Sequence, residues 1–477
     1  MINRLIPLIA FAFSAVVASA EITLPHILGS NMVLQQQSNV RLWGKAKGQV
    51  VIKTSWSENV VKVKADSHGQ WETMLATPVA SFDAQTIELT DDDKKPLTLS
   101  NILIGEVWLA SGQSNMEMPL EGFPGCNIED GLEEIVNASQ EKGVRFFTVP
   151  LKQSYQEETD IESEWTLPSA MTANKYSAVA WFYAKSLSHA LNVPVGIVSC
   201  AYGGTKVESW MSKSLLESYG LSTKPEDVEK CEWAFHRIML PYNAMFMPVH
   251  QFTYKGIIWY QGESNVGEHD VYAQRLTDMV ALWREKIGQG DIPFYYVELA
   301  PYCYGDSNQV DKAAFLREAQ FKAQSMIPNS GMISTCDLTL PQEYYNIHPR
   351  QKKTVGLRLA SLSLNRTYGY KQFVTGGPVY KEMFVEGNEA FVGFDNLQMG
   401  ICSNYMIEGF EVAGDDQVFY PADKVWLRWQ TNHVVVSSEK VAKPVAVRYC
   451  FKDFSHGTLY GGSSMPAFPF RTDNWDK

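Results

Sequence analysis

From residue 21 to about 103, apolar and polar positions alternate in short runs: Val40-Arg41-Leu42-Trp43, Val50-Val51-Ile52-Lys53-Thr54 and Val60-Val61-Lys62-Val63. Gly, Asn and Asp separate them, no helical period occurs, and a period of two predicts an antiparallel β domain. From 104 to 369 strand-like apolar runs alternate with longer segments of helical spacing, as parallel βαβ units require. The expected strands are Val107 to Ala110, Val193 to Cys200, Gly256 to Tyr260, Pro293 to Leu299 and Gly331 to Cys336. The expected helices are Ala178 to Leu191, Tyr272 to Ile287, Lys312 to Met326 and about Pro349 to Leu362, the last with proline in its first turn. Beyond residue 370 short alternating runs return, among them Ala390 to Phe394, Val425 to Trp429, His433 to Val436 and Val445 to Tyr449. The outline is a β domain (21–103), an α/β domain with a mainly parallel sheet (104–369) and a β-rich domain (370–477).

The first twenty residues change the picture of where the chain works. Asn3-Arg4, the apolar run Leu5 to Val17 and Ala18-Ser19-Ala20 have the layout of a signal peptide, so export to the periplasm or medium is expected, with cleavage after Ala20. No later window is long and apolar enough for a membrane span. A formal net charge of -12 without a basic stripe argues against nucleic acid or an anionic membrane as partner. The 7 cysteines (Cys126, Cys200, Cys231, Cys303, Cys336, Cys402, Cys450) are scattered and show no CxxC spacing, so neither a zinc site nor a disulfide scaffold is expected. Their pairing and the oligomeric state are not readable from the chain.

Four polar tips follow the expected parallel strands: Gln113-Ser114-Asn115, Gly203-Gly204-Thr205, Gln261-Gly262-Glu263-Ser264-Asn265 and the stretch from Asp337 to His348. In a parallel sheet such ends collect along one edge, where distant residues can converge on one substrate. Together they hold the parts of an acyl-transfer site. Ser114 is the candidate nucleophile and needs an adjacent base, a role His348 can fill near neutral pH. A tetrahedral oxyanion needs preorganised N–H donors. The candidates are the backbone of Ser114, Gly203 or Gly204, and the side-chain amide of Gln261 or Asn265. Taken singly, each tip has a plainer reading as a turn, helix start or cap. Gln113, Trp210 and Glu263 are the expected substrate contacts, although tryptophans in such runs are more often core.

These blocks, Gly112-Gln113-Ser114-Asn115-Met116, Tyr202-Gly203-Gly204-Thr205 with Glu208-Ser209-Trp210, Trp259 to Asn265 and Ile347-His348-Pro349, resemble those of the sialate O-acetylesterase family of SGNH hydrolases. The segments Gly409 to Gly414, Phe419 to Ala422 and Pro466 to Asp473 also resemble it, so the likeness spans nearly the whole chain beyond residue 20. The resemblance implies an SGNH-type three-layer α/β/α domain, with Ser114 as nucleophile, His348 as base, oxyanion donors from the serine, glycine and amide blocks, and no metal or organic cofactor. It implies removal of O-acetyl groups from sialic acid or related sugars. One departure stands out: the superfamily carries aspartate three residues before its histidine, where this chain has Tyr345, followed by Asn346. Asp337 or Glu343 could supply the acid, or a carbonyl or Asn346 could orient His348 in a dyad; Asp337 is the first choice.

Three alternatives follow from the same residues. The sugar could be acetylated xylan or another plant glycan, chosen by the segments from about Met118 to Phe146 and Met211 to Met247. The chain could bind glycans without catalysis, or be a glycoside hydrolase with Glu263 and Asp337 as paired carboxylates, a role set by their separation.

Overall fold

The computed structural model describes residues 21–92, 95–305, 311–397, 400–402 and 406–475. The expected signal peptide, 1–20, lies outside them.

A mainly parallel sheet organises the centre of the molecule. Its strands run in the order Ser330–Ile333, Phe294–Val297, Gly256–Tyr260, Leu97–Gly112, Val195–Ala201 and Val144–Thr148, with Trp165–Thr166 antiparallel at the edge. The five pairings among the first six are parallel. Side chains alternate between faces, so Val107 and Leu109 enter the core on one side while Trp108 and Ala110 enter that on the other. Burial on both faces explains the continuous apolar runs.

Helix Ala178–Leu191 forms over the expected residues, with Ser177 accepting from the Ala180 N–H at its start and Asn192 in the left-handed conformation at its end. It packs against Lys352–Arg366 on one face of the sheet, while His269–Ile287 packs against Lys312–Met326. The last helix begins at Lys352, not near Pro349. The reason is local: the Glu343 carboxylate accepts the N–H groups of Leu340 and Arg350 and holds the preceding residues in a loop.

Two features were not foreseen. Strand Val144–Thr148, buried over its first four residues, begins within the segment expected to choose the sugar; at five residues, with Arg145 between Val144 and Phe146 and no regular alternation, it is too short to show a period. A single sixteen-residue strand, Leu97–Gly112, crosses the boundary expected at 103/104. Its first half pairs antiparallel with Ser81–Thr90, which joins Gln49–Thr54 and Ser57–Lys64; its second half is the middle of the parallel sheet. Beyond residue 370 two four-stranded antiparallel sheets form around a separate apolar core. All seven cysteines carry free thiols. No helix among the described residues is long and apolar enough to cross a membrane.

Candidate active site

Leu97–Gly112 ends where the chain must turn sharply beside its neighbour. Gly112 has φ +140°, and a Cβ there would stand 2.1 Å from the Tyr260 carbonyl oxygen, so the position requires glycine. The Gln113 N–H donates to that same carbonyl (2.9 Å), and Gln113 Oε1 accepts the Gly262 N–H (3.1 Å), which fixes the turn. A single helical turn, Ser114–Glu117, follows. Ser114 begins it, so its N–H has no acceptor within the helix. Ser177, the cap of the long helix, donates its hydroxyl to the Met116 carbonyl (2.6 Å) and ties the turn to the scaffold.

The loop after Ser330–Ile333 brings His348 to this turn from 234 residues away: His348 Nε2 lies 2.9 Å from Ser114 Oγ. Asn346 Oδ1 accepts the His348 N–H (3.0 Å) and a hydrogen bond from the Cys126 thiol (3.3 Å). The Phe123 ring stands edge-on to the imidazole at 5.1 Å. Burial, and secondarily the charge of Lys352, lowers the His348 pKa to about 4. The ring is therefore neutral at pH 7, and with its proton on Nδ1 it presents a lone pair at Nε2 to the serine hydroxyl.

The acid expected for a triad is elsewhere. Asp337 forms a forked pair with Arg358 (2.7 and 2.6 Å) and accepts from the Tyr460 hydroxyl (3.0 Å). Glu343 serves its own loop, as described above. Among the described residues no carboxylate is hydrogen-bonded to the His348 ring, whose side-chain hydrogen bond is to Ser114.

The expected oxyanion donors divide. Gln261 is fully buried; its NH2 donates to the Thr205 carbonyl and Asn265 Oδ1, and its oxygen accepts from Tyr272. Asn265 donates to Glu208 and Glu268 and accepts from the Val207 N–H. Both amides are fully engaged in bracing their loops, which removes them as free donors. Gly203 does lie against the serine: a Cβ on it would be 3.3 Å from Ser114 Cβ. Its N–H, however, donates to the Glu117 carboxyl, whose pKa is raised by burial. Gly204, at φ +76°, has the Phe235 ring where a Cβ would be, and its N–H has no acceptor among the described residues. Among the described residues Ser114 and Gly204 thus keep uncommitted N–H groups, and Gly203 is a donor held by Glu117.

The expected substrate contacts are corrected in two cases. Trp210 is fully buried, bonded to Thr205 and packed edge-on against Trp259 and Trp283, so it belongs to the core. Glu263 is buried and accepts from the Asn115 amide rather than facing solvent. It is bound to the serine turn and Asp337 to Arg358, so neither is a free carboxyl for glycoside chemistry. Gln113 shapes the turn through its side-chain amide oxygen, which accepts the Gly262 N–H. The sequence reading missed Glu117, Lys352, Phe123 and Phe235. Lys352, in the first turn of a long helix, and Glu117, at the end of a single helical turn, look like solvated charges, and no local signal distinguishes them from surface residues. Phe123 and Phe235 come from the two segments expected to border the substrate.

Comparison with known proteins places this geometry in a class. The family described as carbohydrate esterase, sialic acid-specific acetylesterase matches residues 104–365. The crystal structure of a carbohydrate acetylesterase from Xanthomonas citri superposes with a TM-score of 0.84 at 31% identity, covering 95% of this chain and 100% of that one. Sialate O-acetylesterases from Mus musculus and Homo sapiens are 28% and 27% identical, covering 92% and 93% of this chain and 92% and 91% of theirs. The fold and these relatives define an esterase that acts on carbohydrates. The chain belongs to the carbohydrate esterase, sialic acid-specific acetylesterase family.

Proposed function

We propose that the protein removes O-acetyl groups from a sugar through an acetyl-enzyme on Ser114, with His348 as the base. The observation that carries this reading is the 2.9 Å contact between Ser114 Oγ and His348 Nε2 at the edge where the parallel strands end. His348 takes the hydroxyl proton as Oγ attacks the acetyl carbonyl carbon. The Ser114 and Gly204 N–H groups are the donors assigned to the resulting oxyanion, joined by Gly203 once the carbonyl oxygen replaces the Glu117 carboxyl as its acceptor. The intermediate collapses, the sugar oxygen leaves with the proton from Nε2, and His348 then activates a water that releases acetate. The charged start, apolar run and Ala18-Ser19-Ala20 of the chain support export as the setting.

Sialic acid is the sugar suggested by the names of the mammalian relatives. A specific observation favours a second reading, a neutral acetylated glycan. The Glu117 carboxyl lies against Gly203 beside the nucleophile, where its ionised form repels an anionic sugar. Phe123 on one side and Phe235, stacked at 5.8 Å on the half-exposed Trp233, on the other offer apolar faces of the kind pyranose rings cover. Acetate release from O-acetylated sialic acid and from acetylated xylo-oligosaccharides decides between them. A tenfold or larger advantage in kcat/KM for the sialic acid supports the first reading, and the reverse supports the second. Under the second reading Glu117→Gln narrows the gap.

The pH profile follows from the imidazole. His348 must be neutral to accept the proton, so the histidine limb of kcat/KM is a fall as pH drops through about 4. A limb centred near 6.5, the value of a free imidazole, would contradict the buried dyad.

A further inference from the structure

Below the Ser114–His348 contact lies a buried charge pair that the acyl-transfer steps leave unused. Lys352 and Asn115 are 1% and 0% exposed, and Lys352 Nζ donates to Asn115 Oδ1 at 2.6 Å. The other end of the same amide, Nδ2, donates to Glu263 Oε1 and to the carbonyl of Ile347 at 3.0 Å. Asn115 follows Ser114 and Ile347 precedes His348, so one side chain bridges the two halves of the dyad. Its orientation is dictated from both ends, since an ammonium must face the amide oxygen and a carboxylate the amide nitrogen. Glu263 Oε2 has no hydrogen-bond donor among the described residues, and the charges of Lys352 and Arg317 favour its ionised form. Tyr260 completes the enclosure, its ring 5.7 Å from Lys352 Nζ; Glu343 and Cys126 are the remaining titratable groups that act on this lysine.

We infer that Lys352, Asn115 and Glu263 form a positioning relay that holds Ser114 and His348 in contact in place of a triad carboxylate. The inference rests on the assignment of those two residues as nucleophile and base. A carboxylate bonded to Nδ1 would orient the imidazole through its ring. Here the histidine is held through the backbone before it, by the same amide that extends from the serine. The relay also brings a cation near the ring, opposing its protonation, and this gives it a signature that packing alone lacks.

The test uses the whole protein and a small chromogenic acetate, which makes no sugar contacts. Lys352→Met is expected to lower kcat about 10- to 100-fold with KM little changed, as displacement of reacting groups does. Loss of the nearby positive charge should also move the acid limb of kcat/KM upward from about 4. Asn115→Ala should lower kcat similarly with a smaller movement of the limb, because the cation stays. Should Lys352→Met fail to fold, with Glu263 left unbalanced, the double variant Lys352→Met/Glu263→Gln removes both charges and carries the same two readouts. An unmoved limb, or kcat within about twofold of the parent, overturns the relay. Ser114→Ala run alongside separates the cases: an active Ser114→Ala sinks the dyad itself, whereas an inactive one beside an unshifted lysine variant sinks the relay alone.

Discussion

Ser114→Ala is expected to lower kcat on a chromogenic acetate by about 10⁴-fold or more, leaving only the residual rate that binding and oxyanion donors support. His348→Ala should fall to a similar level, and the double variant should be no worse than either, because nucleophile and base act as one unit. Stability should barely change. The serine hydroxyl has His348 as its partner, and the turn that carries it is held by Gly112, Gln113 and Ser177 through bonds that alanine leaves intact. Steady-state kinetics with circular dichroism on the same samples makes the check. Retained activity would remove the acetyl-enzyme.

The second large effect concerns stability. Asp337 and Arg358 have side chains 5% and 7% exposed and form a buried forked pair. Arg358→Met leaves the carboxylate buried beside only the Tyr460 hydroxyl and the rest of the loop, which should cost about 3 to 5 kcal/mol. Denaturant unfolding of parent and variant reads this directly. Asp337→Asn, which keeps the acceptor for Tyr460 but removes the charge, should also destabilise while kcat per folded molecule stays within a fewfold of the parent. A triad acid would behave oppositely, with rate collapsing by orders of magnitude and the fold little affected. The two variants therefore decide between the acid suggested by loop position and the ion pair seen in the structure.

That contrast shows where the sequence was readable. Residues such as Gly256–Tyr260, Ala178–Leu191 and Lys312–Met326 form the elements their spacing announces, because the period of a strand or helix is written within a few neighbours. The tips behind the parallel strands were equally legible, and the sheet brings Ser114, Gly203 and His348 to one edge. Val144–Thr148 escaped notice because five residues without alternation do not distinguish strand from buried loop.

Residue type and chain position by themselves determined which side chains could meet at the carboxyl edge: a hydroxyl, an imidazole, glycines and amides, each placed by a local rule. Tertiary structure alone decided what each group is bound to once there. Asp337 turns to Arg358, Gln261 and Asn265 brace loops, Glu117 accepts the Gly203 N–H, and Lys352, which reads as a surface lysine, is enclosed beside Asn115 under Ser114. The physical reason is range. Periodicity and turn chemistry act over a few residues, whereas a hydrogen bond or ion pair depends on ångström distances between groups far apart in the chain, such as Lys352 and Asn115 at 237 positions, and on burial that only the packed chain creates.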